Sequence, residues 1–268
     1  MKRWKFVLVA CVSVFVLALA SSALAQAAKP AKFIQMYEIQ VKAGAQTQYE
    51  AYMKKIIEAA NKIGAPQGWI GAQAALGTNG TNYYVVVGFN KWAERDGWDE
   101  VPQMLTKAFG EAEAQKIGKM GGESYWSFST KILELDEELS WNLKAHPTAK
   151  YYQMMIGKVK PSMVDEYRMV ISKIKEGQEK ASVKQMGIRR TSSIGPSWEF
   201  YMALPFDKWE ERDGEENDIW GNVAKAHGET EARLLRETRL GCYESREFFI
   251  VATRPDLSRQ APSPTSNE

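Results

Sequence analysis

Short runs rich in β-branched and aromatic residues alternate along the chain with longer segments whose apolar residues recur at helical spacing, and this order is written twice. FIQMYEIQVK, from Phe33, reads as a strand. QTQYEAYMKKIIEAANKIG then places Tyr49, Met53, Ile56, Ala60 and Ile63 on one helical face. WIGAQAALG and NYYVVVGF read as strands around a loop containing Asn79-Gly80, a hairpin signal replaced by Gly195-Pro196 in the second copy. VPQMLTKAFGEAEAQKIG predicts one helix, opening at Pro102 where an early-turn proline is tolerated, and SYWSFSTKILEL predicts a closing strand. The order β-α-β-β-α-β is that of the split ferredoxin-like unit.

Self-comparison fixes the period. FNKWAERDG at 89–97 returns as FDKWEERDG at 206–214, and KAFGEAEA at 107 returns as KAHGETEA at 225. Gln35, Val41, Lys42 and Tyr49 match Gln153, Val159, Lys160 and Tyr167; Tyr125 and Ser127 match Tyr243 and Ser245. The offset holds at 117 or 118, so two units are expected, 33–140 and 151–258, with a linker at 141–150 and a polar, disordered tail at 259–268. A long period present only twice points to duplicated domains and away from a solenoid.

The expected fold class is α+β. One unit alone would leave a sheet face bare, yet YYVVVGF is apolar on both faces, as a strand covered on both sides is. The second unit is the expected cover, the sheets packing face to face into a pseudo-dimeric barrel within one chain. The repeated phrase then falls just after strand three. There Asn90 or Asp207 would cap a helical turn, Glu210 would complete a capping box, Asp-Gly would end it, and Trp92 and Trp209 would pin it to the domain edge.

The ends and the charge narrow the setting. MKRWK followed by FVLVACVSVFVLALA and Ala23-Leu24-Ala25 reads as a secretory signal peptide at 1–25, cut after Ala25, and LVAC leaves too short an apolar stretch before Cys11 for lipidation. The expected location is therefore periplasmic or secreted. No later segment is apolar enough to span a bilayer. Without residues 1–25 the chain holds 32 basic and 33 acidic residues, which gives no electrostatic case for nucleic acid. Cys242 is then its only cysteine, so no intramolecular disulfide can form.

Motifs for serine hydrolases, nucleotide loops and zinc proteases are absent from the sequence. The acidic run EERDGEEND, 210–218, fails the EF-hand spacing and reads as a solvated loop. His146 sits beside Pro147 in the linker as a spacer residue. His227 falls on a helical stripe with Trp220, Val223, Thr230 and Leu234, where the first copy has Phe109. An imidazole in place of a buried phenyl is a satisfied core histidine, a haem or metal ligand, or an acid-base group. Cys242, aligned with Ser124, reads as a small packed residue. Gln35, Gln153, Tyr125, Tyr243, Ser127 and Ser245 are polar strand residues kept in both copies, either bonded to one another in the barrel interior or lining a ligand cavity.

The β-α-β-β-α-β unit with W-x-E-R-D after its third strand resembles the dimeric α/β-barrel superfamily, which includes antibiotic-biosynthesis monooxygenases, EthD-like and NIPSNAP-type proteins. The resemblance covers both units and implies cofactor-free oxygenases, haem-binding enzymes or small-molecule binders. Haem-binding members often carry the iron ligand on a helix of one unit only, which makes His227 the residue to test; no other cofactor is indicated. Three readings stay open: a binder of a small apolar or aromatic molecule, an oxygenase-type enzyme, and an interaction module without a ligand.

Overall fold

The structure, a computed structural model, describes residues 29–78, 80–143, 149–194, 197–213 and 218–262. The signal-like segment with Cys11 and Ala25, Asn79, His146, the Gly195-Pro196 turn, most of the acidic run after Asp213 and the end of the tail lie outside them. In chain order the elements are β1 (Phe33–Val41), α1 (Gln46–Ile63), β2 (Ile70–Leu76), β3 (Asn82–Phe89), α2 (Val101–Phe109), α3 (Glu111–Ser124) and β4 (Tyr125–Leu135). They are followed by β5 (Tyr151–Val159), α4 (Val164–Lys180), β6 (Ile188–Ile194), β7 (Glu199–Phe206), α5 (Ile219–His227), α6 (Glu229–Cys242) and β8 (Tyr243–Thr253).

All eight strands form one closed antiparallel barrel in the order β1-β3-β2-β8-β5-β7-β6-β4. The sheets therefore do more than face one another, as the sequence suggested: their edges are hydrogen-bonded, through Ala72↔Thr253 and Ala74↔Val251 on one side and Leu133↔Ser192 and Leu135↔Arg190 on the other. Closure satisfies edge groups that would otherwise face water. Strand alternation then sorts the side chains. Met36, Tyr84, Leu133, Tyr201, Phe249 and Val251 fill the barrel interior. The opposite face of β1 and β3 packs Ile39, Val41, Tyr83 and Val87 against Tyr49, Met53 and Ile56 of α1 and Met104 and Leu105 of α2. On the other half Met155, Val159, Phe200 and Met202 meet Tyr167, Val170 and Ile174 of α4 with Val223 and Leu235. Strand β3 is apolar on both faces because both are covered, as its sequence required.

Two local expectations change. The second helix of each half is split: Gly110 (φ 79°, ψ 163°) separates α2 from α3, and Gly228 (φ 89°, ψ 154°) separates α5 from α6. Each glycine closes one helix and opens the next, with the Gly110 N–H donating to the Thr106 carbonyl and the Gly110 carbonyl accepting from Ala114 N–H. The repeated phrase forms a 3₁₀ turn, Trp92–Gly97 or Trp209–Arg212, but its capping differs from the reading above. Glu94 accepts from the Asn90 and Lys91 N–H groups, and Glu211 does so from Asp207 and Lys208, whereas Glu210 pairs with Lys208. Asn90 and Asp207 instead accept from the Lys32 and Lys150 N–H groups, tying the turn to the strand entry. Trp92 packs on Phe33 and Phe89, and Trp209 on Tyr151 and Phe206.

Candidate functional site

A cavity of 720 Å³ lies between the outer face of β1 and β3 and the helices α1, α2 and α3. Its volume is within the usual range for small-molecule sites. The floor is aliphatic: Ile39, Val85 and Val87 from the strands, Met53 and Ile56 from α1, Met104 and Leu105 from α2. Aromatic side chains form the sides, with Tyr37, Tyr49, Tyr52, Trp69, Trp98, Tyr125 and Phe128. A second, more open hollow of 840 Å³ lies between α4 and residues 137–143, but Trp141 is the one aromatic side chain among its lining residues.

Two of the amides among the lining residues carry a buried oxygen with nothing to bond. Gln35 is 5% exposed, and its Oε1 is buried without a hydrogen-bond partner, as is Oε1 of Gln67. Gln35 Nε2 donates to the Tyr37 hydroxyl, which holds the amide in place on β1. A buried acceptor left unbonded is costly, so a pair of them in one cavity is a feature to be explained. The phenols of Tyr37, Tyr49 and Tyr52 stay neutral. Burial raises Tyr37 above its usual value, with Glu100 adding to the rise and Arg95 opposing it. Burial likewise raises Tyr49, and it pushes Tyr52 up to about 12. Charge enters the lining through Arg95, Asp99, Glu100 and Glu111, and the Arg95 guanidinium lies 5.6 Å from the centroid of Trp98.

The polar strand residues singled out by the repeat do not form one constellation. Gln35 and Tyr125 line the cavity, on the helix-covered face rather than in the barrel interior. Ser127 is exposed, 3.5 Å from Gln40 Oε1, and Ser245 is exposed too, because β4 and β8 begin beyond the strands that flank them later. Gln153 is half-buried on β5, opposite Leu204 and Ile250. Tyr243 is buried in the second half, its hydroxyl 3.1 Å from Arg239 Nε.

His227 ends α5 and faces α4, not the sheet. Its Nε2 lies 3.2 Å from the Lys173 carbonyl and 3.4 Å from Glu176 Oε2, with the side chain 10% exposed. The break at Gly228 disperses the expected stripe, and Leu234 is 56% exposed. The matching Phe109 lies under Lys55 and Lys62 of α1. As a haem ligand His227 does not fit: the nitrogen an iron would take is engaged with α4. Among the described residues no group of His, Cys, Asp and Glu stands together to hold a metal ion. Cys242 is fully buried and its thiol is raised by burial, the behaviour of a packed residue.

The sequence reading missed Tyr37, Gln67 and Trp98. Tyr37 was within reach, since it shares a strand face with Gln35 at i+2, but the others lie on segments that only the folded chain brings to the cavity.

The fold is that of the dimeric α/β-barrel proteins. An anthrone oxidase-like protein matches with a TM-score of 0.51 over 90% of this chain and 97% of its own, at 11% identity. A candidate monooxygenase of Fusobacterium nucleatum matches with a TM-score of 0.50 over 88% and 98%, also at 11% identity. Chlorite dismutase of Candidatus Nitrospira defluvii aligns with a TM-score of 0.49 over 84% and 92%, at 6% identity. No protein-family model and no curated protein matches the sequence. Among the described residues no helix is long and apolar enough to cross a membrane.

Proposed function

We propose that this protein takes a planar aromatic molecule bearing hydroxyl or N–H donors into the cavity between β1, β3 and the helices of its first half. The observation that carries this reading is the pair of unbonded amide oxygens, Gln35 Oε1 and Gln67 Oε1, on two residues that line a cavity with aromatic sides. A donor on the ligand would restore the hydrogen bonds each amide gave up on burial, and an apolar molecule of the same shape would not.

Within this reading an oxygenase-type enzyme is preferred to a passive binder. Its support is that two structures sharing the fold are described as a monooxygenase candidate and an anthrone oxidase-like protein. An electron-rich hydroxyaromatic is also the ligand class the cavity favours. No haem ligand is assigned in this reading, since His227 Nε2 faces the Lys173 carbonyl of α4. The chain is further proposed to be two fused ferredoxin-like units, 33–140 and 151–258, exported with loss of residues 1–25; support comes from the constant repeat offset and the basic-apolar start. Mature protein from the native host should begin at Gln26.

Dioxygen uptake by purified protein with anthrone and with a set of polyhydroxylated aromatics tests the enzymatic reading. Uptake above the rate of a heat-denatured control, with an oxygenated product by mass spectrometry, is the expected result. Calorimetric binding of the same compounds with no uptake by any of them would return the protein to the class of binders.

A further inference from the structure

The two halves differ in chemistry where their sheet-helix interfaces correspond. At an offset of 118, Tyr49 and Tyr125 of the first cavity match Tyr167 and Tyr243, and Tyr37 matches Met155. Two glycines change to arginines at the same offset: Gly71 of β2 matches Arg189 of β6, and Gly121 of α3 matches Arg239 of α6. Both arginines reach the phenols of that second sheet-helix core. Arg189 Nη1 lies 3.3 Å from the Tyr167 hydroxyl; Arg239 Nε lies 3.1 Å from the Tyr243 hydroxyl and its Nη2 lies 3.3 Å from Met155 Sδ.

Two guanidinium groups are thus buried side by side, 2% and 8% exposed, and no described residue offers either a carboxylate. Their described side-chain hydrogen bonds number three, one of them to a thioether, a weak acceptor. Arg189 Nε is buried with no partner at all. Aromatic faces lie alongside, Trp141 at 5.7 Å from Arg189 and Trp220 at 5.9 Å from Arg239. Such contacts return only a fraction of what it costs to take a guanidinium out of water. Nor can the pair readily shed its charge, because arginine keeps its proton in proteins.

We propose that the second half carries a binding site of its own, in which a compact oxyanion sits between Arg189 and Arg239 with the Tyr167 and Tyr243 hydroxyls beside it. The planar donor forks match a carboxylate or a sulfate-like group, and the anion supplies a countercharge that no described residue offers there. This site is independent of the aromatic cavity in the first half.

Thermal unfolding of the full chain at constant ionic strength in chloride, with sodium benzoate or sodium sulfate titrated in, tests it. One or both anions should raise Tm along a saturating curve. Benzoate alone acting points to the carboxylate of an aromatic acid, and sulfate acting points to an inorganic oxyanion. In Arg239→Met the affinity should fall on the order of thirtyfold or more, and Arg239→Gln, which keeps a polar group, should bind no better. A wild-type Tm that rises no further with either anion than that of Arg239→Met would overturn the proposal and leave the arginines as residues held by aromatic faces alone.

Discussion

Gln35 shows how a single residue separates a binding role from a packing role. Replacing it with Leu removes the unbonded Oε1 together with the bond to Tyr37, so stability should stay level or rise by about 1 kcal/mol, while affinity for a hydroxyaromatic ligand falls. Paired denaturation and binding measurements check both halves of that statement; a loss of stability with affinity intact would make Gln35 a packing residue. His227→Phe should behave in the opposite way. It breaks the contact with the Lys173 carbonyl and should cost about 1 kcal/mol without changing the absorption spectrum after haem titration. Sequence alone marked both residues but not what they face. Gln35 stood out because it recurs as Gln153, yet the side of the sheet it lines depends on which strand face the helices cover. The role of His227 turned on a helix break that the hydrophobic pattern hid, since the apolar spacing runs on through Gly110 and Gly228.

That break makes its own prediction at the level of elements. Gly110 and Gly228 have positive φ with extended ψ, a region that only glycine enters cheaply, and no atom lies within 4 Å of a Cβ built on either. Gly110→Ala and Gly228→Ala should therefore each cost about 1 to 3 kcal/mol from backbone strain alone, and the double variant should show the sum, because the sites belong to different halves. Chemical denaturation of the three variants measures this; a cost near zero would mean that the paired helices can fuse into the single helix the sequence suggested. The strands were legible from composition, and β3 announced its two covered faces by being apolar on both. The capping of the 3₁₀ turns was not legible, because Asn90, Asp207, Glu94 and Glu211 are all plausible cap residues, and only the path of the chain before β1 and β5 decides which acceptor meets which donor.

At the scale of the whole molecule the barrel is held shut partly by Arg254, which follows β8 yet bonds to Glu50 of α1 and Gln73 of β2 at 2.7 Å each, and to Asp256. Glu50 is held below the usual carboxylate value, chiefly by its hydrogen bond to Arg254, and Asp256 is lowered for the same reason. A folded-state value below the unfolded one means a contribution present above the unfolded pKa and lost as pH falls through the folded one. The protein should thus lose stability as pH drops below 4.5, the unperturbed value for Glu50. Glu50→Gln should flatten that acid limb in melts recorded across pH, and an unchanged limb would show that the clamp contributes little. The repeat was evident in the sequence, and so were the need to cover the second sheet face and a barrel within one chain; the hydrogen-bonded register of its two closing seams was not, although the seams are counterparts at the repeat offset, Ala72↔Thr253 matching Arg190↔Leu135 and Ala74↔Val251 matching Ser192↔Leu133. In the proposed function, the first-half cavity selects an aromatic ligand through the donors it brings to Gln35 and Gln67. Calorimetric titration of the full chain with dihydroxynaphthalene and with its dimethyl ether tests this most directly: the diol should bind at least about tenfold more tightly than the ether, with the difference vanishing in a Gln35→Leu, Gln67→Leu double variant, whereas equal affinities in the wild type would contradict it.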